Sequence, residues 1–289
     1  YAFNNDQVTT PAEAARLSFQ INQPFLKGLA TYRYDDAQTF NFGAQMQLDK
    51  VMPGSYQPLG NESFIVGRRM KEVKAIEGAV WAEDSWEIND RWSLTGGARL
   101  NLFRSMQEGK ERLYLQPDWR VSVKYAMNEN NALKASFNTL HQYIHKVSNT
   151  VIMSPTDTWV LSNDRIKPQS GWQGALGWYL QSPDMVYELS VEGYYKEIDH
   201  YLTYRTGANL VMNEEIHRDV VGTHGRAYGI EVQLRKLTGK LNGWINYTYS
   251  RSQLRQEGHK VAGLINRGRW FDSDYDAPHD VKLVGNYKF

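Results

Sequence analysis

The sequence predicts an all-β fold, a transmembrane antiparallel β-barrel of which about eleven or twelve strands are present. Three observations point there. Segment after segment alternates apolar and polar residues with period two, as strands do when one face is in oil and the other in water. The connections alternate between short and long. Tyrosines and tryptophans sit on the apolar face near the segment ends, where a bilayer has its two interfaces.

The segments run as follows. Residues 16–34 read as extended, with Pro24 marking a bulge, an edge or a break. In 39–49, Phe40, Phe42, Ala44, Met46 and Leu48 share one face against Asn41, Gln45, Gln47 and Asp49. Residues 92–103 set Trp92, Leu94, Ala98, Leu100 and Leu102 against Ser93, Thr95, Arg99 and Asn101. Residues 119–125 set Trp119, Val121, Val123 and Tyr125 against Arg120, Ser122 and Lys124. In "VYELSVEGYYKEIDHYL" (186–202), Tyr187, Leu189, Val191 and Tyr195 oppose Glu188, Ser190, Glu192 and Lys196. The same grammar recurs in 228–236, with Tyr228, Ile230 and Val232 against Glu231, Gln233 and Arg235. It recurs in 241–250 through Leu241, Ile245, Tyr247 and Tyr249, and in 281–289 through Val281, Leu283, Tyr287 and Phe289. Weaker versions cover 75–88, 132–146 and 172–180, whereas residues 1–15 show no alternation and read as an irregular or extracellular segment.

Short connections fall near Asp35, Asn89, Asn128–Asn131, Ser182–Asp184 and Thr238-Gly239; long ones cover 50–74, 104–112, 148–170, 200–225 and 252–278. Tight periplasmic turns and large outer loops make this rhythm in outer-membrane barrels. Trp86, Trp92, Tyr125, Trp178, Tyr187 and Tyr287 lie toward the short turns, and Trp172, Tyr195, Tyr228, Tyr247 and Tyr249 toward the long loops. Tyr187 and Tyr195 are separated by roughly 20 Å along the normal of a tilted barrel, close to its apolar band. These residues form two lipid-interface girdles. A soluble sheet with a one-sided core would not sort its aromatics by height.

Composition narrows the classes. The chain has 289 residues, a formal charge of +1 and no cysteine. No whole-chain field calls for nucleic acid. Disulfides, thiolate metal sites and cysteine nucleophiles are excluded. No apolar run is long enough for a transmembrane helix, and "YAFNNDQVTTPAEAA" lacks the basic and apolar regions of a secretory signal.

Several stretches resemble TonB-dependent outer-membrane receptors of the Bacteroidota type: "FNTLHQYIHKVSNT" (137–150), "PTDTWVLSNDRIKPQSGWQGALG" (155–177), "YELSVEGYYKEIDHYLTYRTGA" (187–208), "GRAYGIEVQLRKLTGKLNGWINYTYSRS" (225–252) and "FDSDYDAPHDVKLVGNYKF" (271–289). The resemblance covers residues 27–289. It implies a barrel of about 22 strands around a plug, a receptor that binds a scarce nutrient outside and imports it with energy from TonB. The plug, the TonB-contacting box and any carboxypeptidase-like leader lie outside this sequence. Residue 1 is therefore expected not to be the natural start, and Phe289 not the natural end. All 289 residues are expected to form one partial barrel domain.

In a wide barrel, the position of particular residues suggests their roles. Arg99, Arg120, Lys124, Glu192, Lys196, Glu231 and Arg235 would face the lumen and hold a plug. His141, His145, Trp159, Tyr201, Tyr204 and Trp270 are candidates to touch a small-molecule, glycan or peptide ligand. Each has a plainer reading: the histidines as polar rim residues, the aromatics as loop packing. His141 and His145 on one strand would stand about 13 Å apart, too far for one ion. "NEEIHRD" (213–219) and "DSDYD" (272–276) lack the glycine and closing glutamate of a calcium loop. No catalytic elbow, phosphate-binding glycine loop or zinc signature is present, so neither catalysis, a metal nor a cofactor is expected. Expected partners are outer-membrane lipids, TonB through the plug, and a surface lipoprotein as in some relatives. A passive porin-like channel, an enzyme barrel and a soluble adhesin are the competing classes.

Overall fold

The computed structural model describes residues 2–147, 158–205, 208, 212–256 and 264–289. Its strands are β1 (Ala2–Gln7), β2 (Ala15–Asn22), β3 (Phe25–Arg33), β4 (Gln38–Pro58), β5 (Arg68–Arg69), β6 (Val73–Glu87), β7 (Trp92–Ser105), β8 (Arg112–Asn128), β9 (Asn131–Gln142), β10 (Ile144–Val147), β11 (Thr158–Leu161), β12 (Gln169–Gln181), β13 (Tyr187–Tyr204), β14 (Val220–Lys236), β15 (Leu241–Arg255), β16 (Phe271–Asp272) and β17 (His279–Tyr287). All but β10 and β11 belong to one antiparallel sheet in which long strands pair in chain order, from β4 through β6, β7, β8, β9, β12, β13, β14 and β15 to β17. The sheet is open: it ends at β17 on one side and at β1 and β3 on the other.

Pro24 acts as a break. β2 and β3 pair with the upper and lower halves of β4, and the register is unbroken across the proline, Asn22 with Lys50 and Phe25 with Gln47. Proline lacks the amide hydrogen that would complete the ladder there, while its carbonyl accepts from Leu48 N at 3.0 Å. Two expectations are corrected. Residues 2–7 are not irregular but form β1, paired with β2; a short strand on a polar sheet edge needs no alternation. The segment 132–146 is not one strand: it breaks at Tyr143, and β10 leaves the sheet to pair with β11.

The register sorts side chains onto two faces. Trp86, Trp92, Tyr125, Trp178, Tyr187, Tyr195, Tyr228, Tyr247, Tyr249 and Tyr287 all fall on the same one, with Leu94, Val191, Ile230 and Leu283. This face is open. Leu176 is 61% exposed, Ile230 53% and Leu283 75%. An apolar surface of this extent in water would be a severe liability; in hydrocarbon it is the expected exterior. Near the long loops the aromatics run as a continuous row: Phe137 to Trp172 at 6.0 Å, Trp172 to Tyr195 at 5.5 Å, Tyr195 to Tyr228 at 6.3 Å. Near the short turns Trp92 meets Tyr125 at 4.5 Å.

Buried apolar side chains gather at the long-loop end. There the β10–β11 hairpin folds across the inner face. One side of it joins Ile21, Val51, Ala75, Phe103, Tyr143 and Leu161; the other joins Val147, Val160, Ile166, Leu202 and Val220.

Candidate functional site

The inner face carries the polar half of the alternation. Arg99, Arg120, Lys124, Glu192, Lys196, Glu231 and Arg235 all fall on it by register. Arg120 pairs with Glu83. Arg99 donates to Asn101 Oδ1 at 2.7 Å and lies 5.0 Å from the Trp81 ring. Trp81 can lie flat on the sheet because its cross-strand neighbour is Gly43, where any Cβ would strike the indole. Arg235 reaches Glu188 at 3.2 Å, and Tyr179 donates to Glu192 at 2.5 Å. Two register pairs oppose like charges: Glu192 with Glu231, and Lys124 with Lys134. Directly opposed like charges destabilise a ladder. They persist where water or another polar surface screens them, so this wall is built for a wet or polar occupant.

At the long-loop end, β8 and β9 stop pairing beyond Arg120 and Asn138. The Thr139 hydroxyl takes the Trp119 amide at 2.8 Å in place of a ladder carbonyl. Asp118 gathers Asn101 Nδ2 at 2.6 Å, Thr139 Oγ1 at 3.4 Å and His141 Nδ1 at 2.8 Å. This parting releases the hairpin inward. Tyr143 stacks on Phe103 with centroids 4.5 Å apart and planes 4° from parallel. Tyr114 Oη donates to Asn163 O at 2.7 Å and fixes the far end of the hairpin.

Between the hairpin and the long loops lies a cavity of about 470 Å³, lined by Met70, Lys71, Met106, Glu108, Trp159, Glu215 and His217 among others. That is within the range of small-molecule sites. Lys71 and Glu108 pair at 2.9 Å, which raises the ammonium and lowers the carboxyl from their ordinary pKa values. Burial, then the charges of Arg165 and Lys110, push the His217 imidazole down and favour its neutral form.

The six ligand candidates do not converge. Trp159 lines the cavity. His141 is held by Asp118 where β8 and β9 part. His145 is no rim residue: it is 2% exposed, with Nε2 2.9 Å from Ser162 Oγ. Burial first, then His200, push its pKa down to about 4. It anchors the hairpin instead of meeting solvent. Tyr204 packs against the buried cluster around Leu202. The Tyr201 carbonyl accepts from Thr223 at 2.9 Å, and burial raises its phenol pKa. Trp270 lies on the outward face against Arg226 and Arg255. Sequence reasoning missed Met70, Lys71, Met106 and Glu108, which carry no spacing signal because the loops alone bring them together. Asp272 and Asp276 both engage Arg251, and among the described residues no group of three or more His, Asp or Glu could hold a metal ion.

An inside-out antiparallel sheet with aromatic girdles, short turns at one end and folded loops at the other is the wall of an outer-membrane β-barrel. The family model "TonB dependent receptor-like, beta-barrel" matches residues 1–287, and the chain belongs to that family; its members are outer-membrane proteins of Gram-negative bacteria. No curated protein matches the sequence. Among solved structures, the FrpB iron transporter from Neisseria meningitidis superposes with a TM-score of 0.66 at 14% identity, over 95% of this chain and 42% of that one. The ferric yersiniabactin uptake receptor FyuA from Yersinia pestis gives 0.65 at 11% identity, over 98% and 42%. The ferripyoverdine receptor of Pseudomonas aeruginosa, bound to ferripyoverdine, gives 0.62 at 13%, over 100% and 39%. The chain thus spans about two-fifths of the solved proteins it resembles. At these identities the likeness is one of fold.

Proposed function

We propose that this chain is part of the barrel of an energised receptor that captures a scarce nutrient at its outer mouth and imports it. TonB would act through a plug domain encoded outside these 289 residues, in a barrel of about 22 strands. The observation that carries this reading is the inner wall. Its exposed cations, carboxylates and like-charge pairs suit a polar plug held by hydrogen bonds and ion pairs, and Arg99, Arg120, Lys124, Glu192, Lys196, Glu231 and Arg235 are assigned to that contact. The mouth cavity, with Trp159 on one side and Lys71, Glu108 and His217 around it, is the ligand surface. Its mixture of thioether, indole and charge fits a chelate, a glycan or a peptide. The named transporters of iron and of ferric chelates support the first of these. The Bacteroidota resemblance adds a partner, a surface lipoprotein over the mouth. The site performs binding and passage, with no covalent step.

A passive channel is the second reading, favoured by the same wet inner wall. Uptake by cells carrying the full-length gene separates the two. An energised receptor loses uptake when TonB is deleted and conducts little in planar bilayers. Uptake that survives without TonB, with steady ion conductance, would establish the channel.

A further inference from the structure

Just above the outer girdle, the outward face of β14 and β15 turns from oil to guanidinium. Arg226 precedes Tyr228 by two residues on that face, and Arg251, Gln253 and Arg255 continue the face of Tyr247 and Tyr249 without a register shift. The connection between β15 and β17 lays Trp270 over them. Arg226 Cζ stands 4.1 Å and Arg255 Cζ 4.9 Å from the indole centroid, and the His224 ring lies 5.7 Å away. Arg226 also lies 5.9 Å from the Tyr228 ring, which ties the cluster to the girdle.

Among the described residues, Arg226 meets no carboxylate in an ion pair. Arg251 is met by Asp272 and Asp276, and His224 by Asp199. Arg226 donates instead to a neutral amide, Gln253 Oε1, at 3.1 and 2.8 Å. Glu197, its register partner, accepts from Trp172 Nε1 at 3.2 Å and Tyr195 Oη at 2.8 Å, so its charge is drawn toward the girdle. The loop adds Arg267 and Arg269, both exposed. Asn266 and Arg267 hold left-handed φ of 46° and 55°, a costly backbone that persists when its surroundings fix it; Asn266 Nδ2 donates to Trp270 O at 3.0 Å and does so here.

We propose that this cluster binds the phosphate groups of the glycolipid in the outer leaflet. Three features converge on that ligand. The face is the lipid-facing one, opposite the wall along which a nutrient would travel. The height is that of headgroups, directly above the aromatic row. The chemistry is a set of planar guanidinium forks, whose edges match phosphate oxygens in pairs while their faces are fixed on an indole.

The test uses the full-length receptor in phosphatidylcholine nanodiscs doped with bis-phosphorylated lipid A, or with the same lipid dephosphorylated, and reads bound lipid by mass spectrometry. The double substitution Arg226→Gln with Arg255→Gln weakens retention of the phosphorylated lipid roughly thirtyfold, two arginines at about 1 kcal/mol each near an anionic surface. It leaves the dephosphorylated lipid unchanged. Arg235→Gln, on the inner wall, changes neither, and millimolar inorganic phosphate does not compete. Heat-modifiable gel migration verifies folding. Should the glutamine pair fail to fold, Arg226→Lys with Arg255→Lys keeps the charge, loses the stacked fork and gives an intermediate loss. Equal retention by wild type and variants overturns the proposal, as does equal binding of the dephosphorylated lipid. So does loss of a co-purifying polypeptide with lipid retention intact, which would make the surface a protein interface.

Discussion

Replacing Phe103 by alanine should undock the inner hairpin while leaving the barrel wall intact. Phe103 has no exposed surface and touches both structures: it belongs to β7 and stacks on Tyr143, the first residue of the hairpin's stem. A buried phenylalanine cut to alanine costs about 3–5 kcal/mol, transfer and cavity together. The wall does not bear that cost, because β7 is held by ladders to β6 and β8 along its whole length. The hairpin does, since its sheet contains β10 and β11 alone. At 1.36 kcal/mol per decade, a loss of about 3 kcal/mol lowers amide protection in 143–147 and 158–162 about a hundredfold. Hydrogen exchange with mass spectrometry on the full-length receptor reads this directly. Unchanged hairpin protection would refute the docking geometry, and an equal loss across β6–β8 would show that Phe103 supports the wall instead.

Three further outcomes follow from named contacts. Tyr143 Oη is buried and has no hydrogen-bond partner among the described residues, so Tyr143→Phe should strengthen hairpin docking by about 1 kcal/mol, seen as slower exchange; weaker docking would contradict it. His145 has a folded pKa pushed below its unfolded value of 6.5 to about 4. Its contribution is complete above pH 6.5 and is lost as pH falls toward 4, up to about 3 kcal/mol. Burial and the charge of Lys167 also push His200 down and act in the same sense. Hairpin proteolysis should therefore rise between pH 6.5 and 4 in the wild type and rise less steeply in His145→Asn, where His200 still titrates; a wild-type profile that is itself flat would contradict the buried neutral imidazole. Val232→Arg, on the lipid face midway between the girdles and opposite Val191, should destabilise the folded barrel by about 2–4 kcal/mol, whereas Gln233→Arg on the inner wall should be close to neutral in urea unfolding from vesicles.

The wall was legible because each strand spells its two environments in alternate residues, and the turns spell their own chemistry. Ser182 is an example: its hydroxyl accepts the amides of Val186 at 3.1 Å and Tyr187 at 2.8 Å, closing the turn that a Ser-Pro-Asp run announces. The mouth was not legible. Val147, Val160 and Leu161 look like stray apolar residues in a polar loop; the inner face of β4–β7 gives Leu161 a reason to be there, and Leu202 of β13 and Val220 of β14 give one to Val147 and Val160. His145 reads as a rim residue until Ser162 and the hairpin enclose it. Trp270 reads as a ligand aromatic, yet its partners Arg226 and Arg255 lie about 15 to 44 positions away and belong to the outward face, a relation that register alone reveals.

The sidedness of the sheet is most directly measured by spin-label accessibility. The described chain has no cysteine, so single labels can be placed through Leu176→Cys, Ile230→Cys and Leu283→Cys, and through Ser190→Cys, Gln233→Cys and Asn246→Cys, in the full-length receptor in liposomes. A barrel wall gives high collision with oxygen and little with a water-soluble nickel chelate at the first three, and at the second three an oxygen collision rate that drops, whether water or a plug covers them. Leucine and isoleucine sites shielded from oxygen, with the serine, glutamine and asparagine sites in hydrocarbon, would contradict the fold's orientation and every functional assignment built on it.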